Sequence, residues 1–189
     1  MTSDVLLSAR NLSVRFGGVL AVDNVSFDVR PGEVFTLIGP NGAGKTTVFN
    51  LISRIYTPTT GEIDFAGTKG LVKLTEQPAH RVASLGIART FQNIELFEHA
   101  TVLHNLLVGR HTHRATGFWS EVFFTPATRA AEEQARERVE RVIDLLDLQH
   151  HRDDMVAGMP YGVRTVVEMA RALCAETRLL LLDEPSSGL

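Results

Sequence analysis

The sequence predicts an α/β fold: a core built around a phosphate-binding loop (P-loop), preceded by an antiparallel β subdomain and interrupted by a helical insert. Three observations predict it. A glycine-rich loop, Gly39-Pro40-Asn41-Gly42-Ala43-Gly44-Lys45-Thr46-Thr47, follows the β-forming run Val34 to Ile38 and precedes an apolar helical stretch, Val48 to Ile55. A run of four leucines, Leu179 to Leu182, ends in two acids, Asp183 and Glu184; continuous apolar runs of this kind fit strands buried on both faces of a parallel sheet. Between the two, residues 98–158 place apolar side chains at helical spacing.

Taken in order, the first thirty or so residues read as β structure. Leu12, Val14 and Phe16 alternate with polar residues, Gly17-Gly18 turns the chain, Val19 to Val22 follows, Asp23-Asn24 turns the chain again, and the alternation resumes at Val25, Phe27 and Val29. Arg30-Pro31-Gly32-Glu33 is a tight turn into the strand that feeds the glycine-rich loop. Beyond the loop helix, Thr57-Pro58-Thr59-Thr60-Gly61 is a breaker cluster, Glu62 to Ala66 a short strand, and Ala79 to Leu85 a helical piece ended by Gly86. Ile87 to Phe91 is a short extended run with Gln92 directly after it.

The insert opens on Val102, Leu103, Leu106 and Leu107, passes a loop with Gly117, Trp119 and Pro126, and continues in its longest helix, Thr128 to Leu148. Val139, Val142, Ile143 and Leu146 form that helix's apolar stripe, while Glu132/Arg136 and Glu137/Arg141 are favourable i,i+4 pairs on the solvated face. Met159-Pro160-Tyr161-Gly162 ends the insert, and Val163 to Cys174 is an apolar-rich helix.

Bulk properties exclude several classes. A chain of 189 residues, 44% hydrophobic and 22% charged, is long enough to bury a core. A net charge of −3 offers no global attraction for nucleic acid. The single cysteine, Cys174, cannot form an internal disulfide and reads as a small buried hydrophobe in a reducing compartment. The N-terminal residues lack the apolar core of a signal peptide, and no run reaches the ~18 apolar residues a membrane span needs. The pairs His111/His113 and His150/His151 have no acidic or cysteine partner at ligand spacing and read as surface loop residues.

The chemistry is concentrated at the loop and the two acids. The pattern G-x-x-x-x-G-K-[ST] lets Gly42 and Gly44 turn backbone N–H groups inward around a phosphate. The positive end of the helix beginning near Lys45 faces the same anion, Lys45 reaches the outer phosphates, and Thr46 offers a hydroxyl to Mg²⁺. Ligands collect at the carboxyl ends of parallel strands, which places Asp183 and Glu184 beside a metal and a terminal phosphate. Burying adjacent carboxylates is costly without a cation to offset them. The N-terminus of the Val163 helix is a second place where backbone donors meet an anion.

A phosphate loop, a glutamine at a strand end, a helical insert, a glycine motif opening a helix and an hhhh-Asp-Glu strand follow one another in that order. Together, over essentially the whole chain, they closely resemble the ATP-binding subunit of an ABC transporter. Gly39 to Thr47 matches the Walker A motif, Gln92 in Thr90-Phe91-Gln92-Asn93 the Q-loop, Leu179 to Glu184 the Walker B motif, and Ser186-Ser187-Gly188-Leu189 the start of the D-loop. Phe16 falls where the family places an aromatic that stacks on adenine. The signature motif departs from the commonest Leu-Ser-Gly-Gly-Gln: Met159-Pro160-Tyr161-Gly162-Val163 looks like the subfamily that imports branched-chain amino acids, as does the segment through Thr116-Gly117-Phe118-Trp119. Val163 cannot donate the side-chain hydrogen bond of the usual glutamine.

The resemblance implies one nucleotide-binding domain over residues 1–189, with 98–175 its helical subdomain, and ATP and Mg²⁺ as cofactors. Phe16, Gly39, Asn41, Gly42, Ala43, Gly44, Lys45, Thr46 and Thr47 would hold the nucleotide, and Tyr161 and Gly162 would close on the nucleotide of a second ATP-binding subunit. Thr46, Gln92 and Asp183 would serve the metal. Glu184 would polarise the attacking water, Lys45 would stabilise the transferred phosphate, and Gln92 would sense the terminal phosphate and couple closure to transmembrane permease subunits. The subunit would sit at the cytoplasmic face of the cell membrane, and nucleic acid is not an expected partner. None of the seven histidines lies beyond Leu182, and the chain stops at Leu189, before the family's D-loop aspartate and switch histidine. That predicts a C-terminally truncated fragment with weak or absent hydrolysis. The alternatives are a soluble ABC-type ATPase acting on DNA or ribosomes, a nucleotide-binding module without catalysis, and a P-loop kinase or GTPase; the helical insert and the Gly162 motif argue against the last.

Overall fold

Two compact units divide the chain at residue 87 in the computed structural model, which describes residues 5–68, 70–90, 96–110, 126–175 and 177–183. Gln92, Glu184, the Thr116–Trp119 segment, His111, His113 and Ser186–Leu189 lie outside the described residues.

The first unit is built on a four-stranded antiparallel sheet in the order β2-β1-β3-β4, from β1 (Leu7–Phe16), β2 (Val19–Val29), β3 (Thr60–Gly67) and β4 (Gly70–Lys73). The alternation read at Leu12 and Val14 is a core face: both are buried, together with Leu7 and Ala9 of β1 and Ile63 and Phe65 of β3. Asp23-Asn24 does not end a strand as expected. Asn24 takes a left-handed φ of 48°, its amide donates to the Ser13 hydroxyl, and β2 runs on through an irregularity in its pairing with β1. A turn signal inside an otherwise paired strand is thus absorbed as a bulge.

Helix α1 (Lys45–Ile52) follows the glycine-rich loop and buries Val48, Leu51 and Ile52. Residues 79–85, expected to be helical, form two short 3₁₀ turns, and Gly86 ends them with a left-handed φ of 99°. One expectation fails outright. Val34 to Ile38 does not form a strand; Val34 is 94% and Ile38 92% exposed. Extended backbone becomes a strand only by hydrogen-bonding a neighbour, and among the described residues none pairs with this segment.

The second unit is mostly helical. Helices α2 (Val102–Gly109), α3 (Pro126–Leu145) and α4 (Tyr161–Cys174) enclose a core of Val102, Leu103, Leu106, Val139, Ile143, Val167, Ala170 and Cys174, with Leu148 and Val156 from the connection. α2 and α4 approach so closely at Gly109 that an added Cβ would lie 2.5 Å from the Arg171 carbonyl oxygen. Cys174 is the buried hydrophobe expected, and burial pushes its thiol up to about 12. The buried amide of Asn105 accepts from the Phe97 amide and donates to the carbonyls of Phe97, Ala100 and Thr101, clasping the loop ahead of α2.

β6 (Leu179–Leu181) pairs with β5 (Ile87–Arg89), and the Thr90 amide donates to the Leu181 carbonyl. Of the three leucines in β6 only Leu181 is fully buried. Three of the four leucines therefore form a paired strand without the two-sided burial the run's composition predicts.

Candidate nucleotide site

The phosphate loop derives its shape from two glycines with left-handed backbone, Gly42 at φ 81° and Gly44 at φ 83°. At Gly44 no other residue fits: a Cβ would lie 2.4 Å from the Ala21 carbonyl oxygen and 3.3 Å from Val22, so the loop seats directly against β2. The Ala43 amide donates to the Pro40 carbonyl, tightening the turn that carries Asn41. Gly44 caps α1 without any side-chain hydrogen bond, and the helix has no acidic residue in its first turn. Its leading amides and its positive dipole end are left for an anion.

Lys45 opens that helix. Its ammonium donates to the carbonyls of Gly39, 2.6 Å, and Pro40, 2.9 Å, folding back across the loop. An ammonium has three donors, so it can bridge loop and phosphate. Thr46 is exposed and Thr47 half-buried in the first turn of α1.

Phe16 stands at the end of β1 with 44% of its surface exposed. The ring of Tyr56 meets it edge-on, with centroids 4.9 Å apart and planes at 67°.

In the second unit, Asp183 lies just past β6, and its carboxylate is ion-paired with Arg89 of β5 at 2.8 Å, both side chains more than nine-tenths buried. Tyr161 and Gly162 open α4, which like α1 has no side-chain cap. Tyr161 is 49% exposed. Val163, the departure from the usual signature glutamine, packs against the helical core; the position is used for packing. Arg164 in the same turn pairs with Glu98 at 3.1 Å.

Two partners of the predicted site residues escaped the sequence reading. Arg89 and Asp183 are 94 residues apart, and no local spacing rule links them. Tyr56 lies between α1 and the breaker cluster, where an aromatic carries no periodic signal.

The two uncapped helix ends, the glycine cradle and the acid-ended strand are the parts of an ATP-binding cassette, and the chain matches the ABC transporter family over residues 22–187. It belongs to that family and is an ABC-type ATPase. It is 41% identical over 187 residues to the high-affinity branched-chain amino acid transport ATP-binding protein LivG of Salmonella typhimurium, an alignment covering 99% of this chain and 72% of that protein. It is 40% identical to BraF, the corresponding protein of Pseudomonas aeruginosa, over 97% of this chain and 71% of BraF. Among solved structures, the ADP conformation of MJ1267, an ATP-binding cassette of an ABC transporter, superposes with a TM-score of 0.78 at 30% identity, covering 98% of this chain and 70% of that one.

Proposed function

We propose that this chain is the energy-coupling subunit of an importer of branched-chain or other amino acids. It binds ATP with Mg²⁺ and, with a second ATP-binding subunit, hydrolyses it to drive transmembrane permease subunits from the cytoplasmic face of the membrane. The observation that carries this reading is the 41% identity to LivG along 99% of the chain.

The residues suit the ligands. Gly39, Asn41, Gly42, Ala43 and Gly44 form the cradle, and Lys45, Thr46 and Thr47 follow at the positive end of α1. The Thr46 hydroxyl, the Gln92 amide oxygen and the Asp183 carboxylate are each the kind of hard oxygen donor Mg²⁺ takes. Mg²⁺ bound with the nucleotide supplies charge neutralisation at the phosphates. Lys45 stabilises the charge on the transferred group, Glu184 orients the attacking water and accepts its proton, and Gln92 reports the terminal phosphate to the permease. Tyr161 and Gly162, at the uncapped start of α4, close on the second subunit's nucleotide with backbone donors; Val163 takes no polar part.

The test is calorimetric. Lys45→Ala removes a charge-assisted contact to phosphate and should weaken ATP binding by roughly ten- to a hundredfold, the equivalent of about 1.5–3 kcal/mol. Unchanged ATP affinity in that variant would refute the site.

A further inference from the structure

We infer that Tyr56 is a positioning residue for the nucleotide base: it holds the Phe16 ring in the attitude that adenine stacks on. The inference rests on the adenine-stacking role that the family resemblance implies for Phe16 and extends it to a residue outside every sequence motif identified above.

The contact is edge-on, 4.9 Å between centroids at 67°, the geometry that the opposite charges of ring edge and ring face favour. Phe16 occupies the last position of β1, beside the Gly17-Gly18 turn, with 44% of its surface exposed. A side chain this exposed lacks the all-round packing that fixes a rotamer in a core, and stacking on a base needs a ring already held in one orientation. Tyr56 supplies that restraint, and it is itself anchored. Arg54 takes a left-handed φ of 62° just past α1, turning the chain back, and the Tyr56 amide donates to the Asn50 carbonyl at 3.1 Å. Further along, the Thr59 amide donates to the Ser13 carbonyl at 2.8 Å, and the Thr59 hydroxyl accepts from the Arg15 amide at 3.1 Å. The segment carrying Tyr56 is thus tied to α1 on one side and to the end of β1, next to Phe16, on the other. One helix, α1, links the phosphate cradle at its start to the base support past its end.

The chemistry predicts a loss selective for the base. Inorganic triphosphate presents the same anion to the loop but has no ring to stack. By calorimetry, Tyr56→Ala should weaken ATP binding about two- to tenfold, the worth of one aromatic pair. It should leave triphosphate binding unchanged. Tyr56→Phe, which keeps the ring edge, should restore ATP affinity, and Tyr56→Leu, which keeps apolar volume without the ring, should not. Phe16→Ala should weaken ATP about tenfold and spare triphosphate. If Phe16→Ala weakens ATP while Tyr56→Ala does not, the positioning role is overturned and the stacking role of Phe16 stands. If Phe16→Ala leaves ATP affinity unchanged, the stacking role falls and the inference with it. Equal loss of ATP and triphosphate in both Tyr56→Ala and Tyr56→Leu would assign Tyr56 a purely structural role and also overturn it.

Discussion

At the scale of single residues, the site depends on groups that neutralise or shape one another. Asp183 and Arg89 are both buried, and a carboxylate or guanidinium withdrawn from water is tolerable only with its partner in place. Arg89→Met should therefore destabilise the second unit by about 3–5 kcal/mol, measured as a lowered urea midpoint, because it leaves a buried charge uncompensated. Removing both charges together, as Arg89→Met with Asp183→Leu, should recover most of that loss; equal instability of the single and double variants would contradict the pairing. The same scale shows why motif reading reached Asp183 but not Arg89. A run of leucines ending in acids is a local pattern, whereas the arginine that meets it comes from a strand 94 residues away. Gly44 is the converse case. The loop motif already required glycine for its backbone, and the fold adds a second reason, the Ala21 carbonyl that a Cβ would strike.

At the scale of elements, hydrophobic periodicity was a good guide wherever an element buries a stripe against its own unit. Of the residues named for their helical spacing, Val102, Leu103, Leu106, Val139 and Ile143 are buried, and Leu107, Val142 and Leu146 pack against the same core only partly buried. The guide failed at Val34 to Ile38, because β propensity fixes a preference for extended backbone and a partner strand fixes its pairing. Links between elements were equally illegible. Arg152 grips Glu140 of α3 through three hydrogen bonds, the shortest 2.6 Å, tying the helix to the segment that leads toward α4. Chiefly through those hydrogen bonds, Arg152 lowers the Glu140 carboxyl below its ordinary 4.5. A depressed folded-state value contributes stability above the ordinary value and loses it as pH falls through the folded one. Glu140→Gln should cost less than about 1 kcal/mol at pH 7, since the pair is half-exposed. The wild type and variant should then converge as pH drops below about 4.5, read by urea denaturation at pH 7 and pH 3.

At the scale of the whole molecule, the chain has two units, one a sheet carrying the phosphate cradle and one chiefly helical carrying Asp183 and Tyr161. Among the described residues no helix is long and apolar enough to cross a membrane. The coupling to permease subunits proposed above implies that protein contacts hold this chain at the membrane. Washing membranes that contain the assembled transporter with alkaline carbonate should release this chain and leave the permease behind; retention with the permease would contradict a peripheral attachment.

The sequence by itself determined the class of the protein, because its motifs are local. A phosphate loop needs its glycines, lysine and threonine at fixed spacing, and the order of loop, glutamine, insert, signature and acid-ended strand can be read without knowing how any of them pack. Tertiary structure alone decided who neutralises Asp183, who steadies Phe16, why Val163 can replace a polar signature residue, and that Val34 to Ile38 stands unpaired among the described residues. Each is a contact between residues distant in sequence or the lack of one, and such contacts follow from chain topology and packing, which no local pattern encodes.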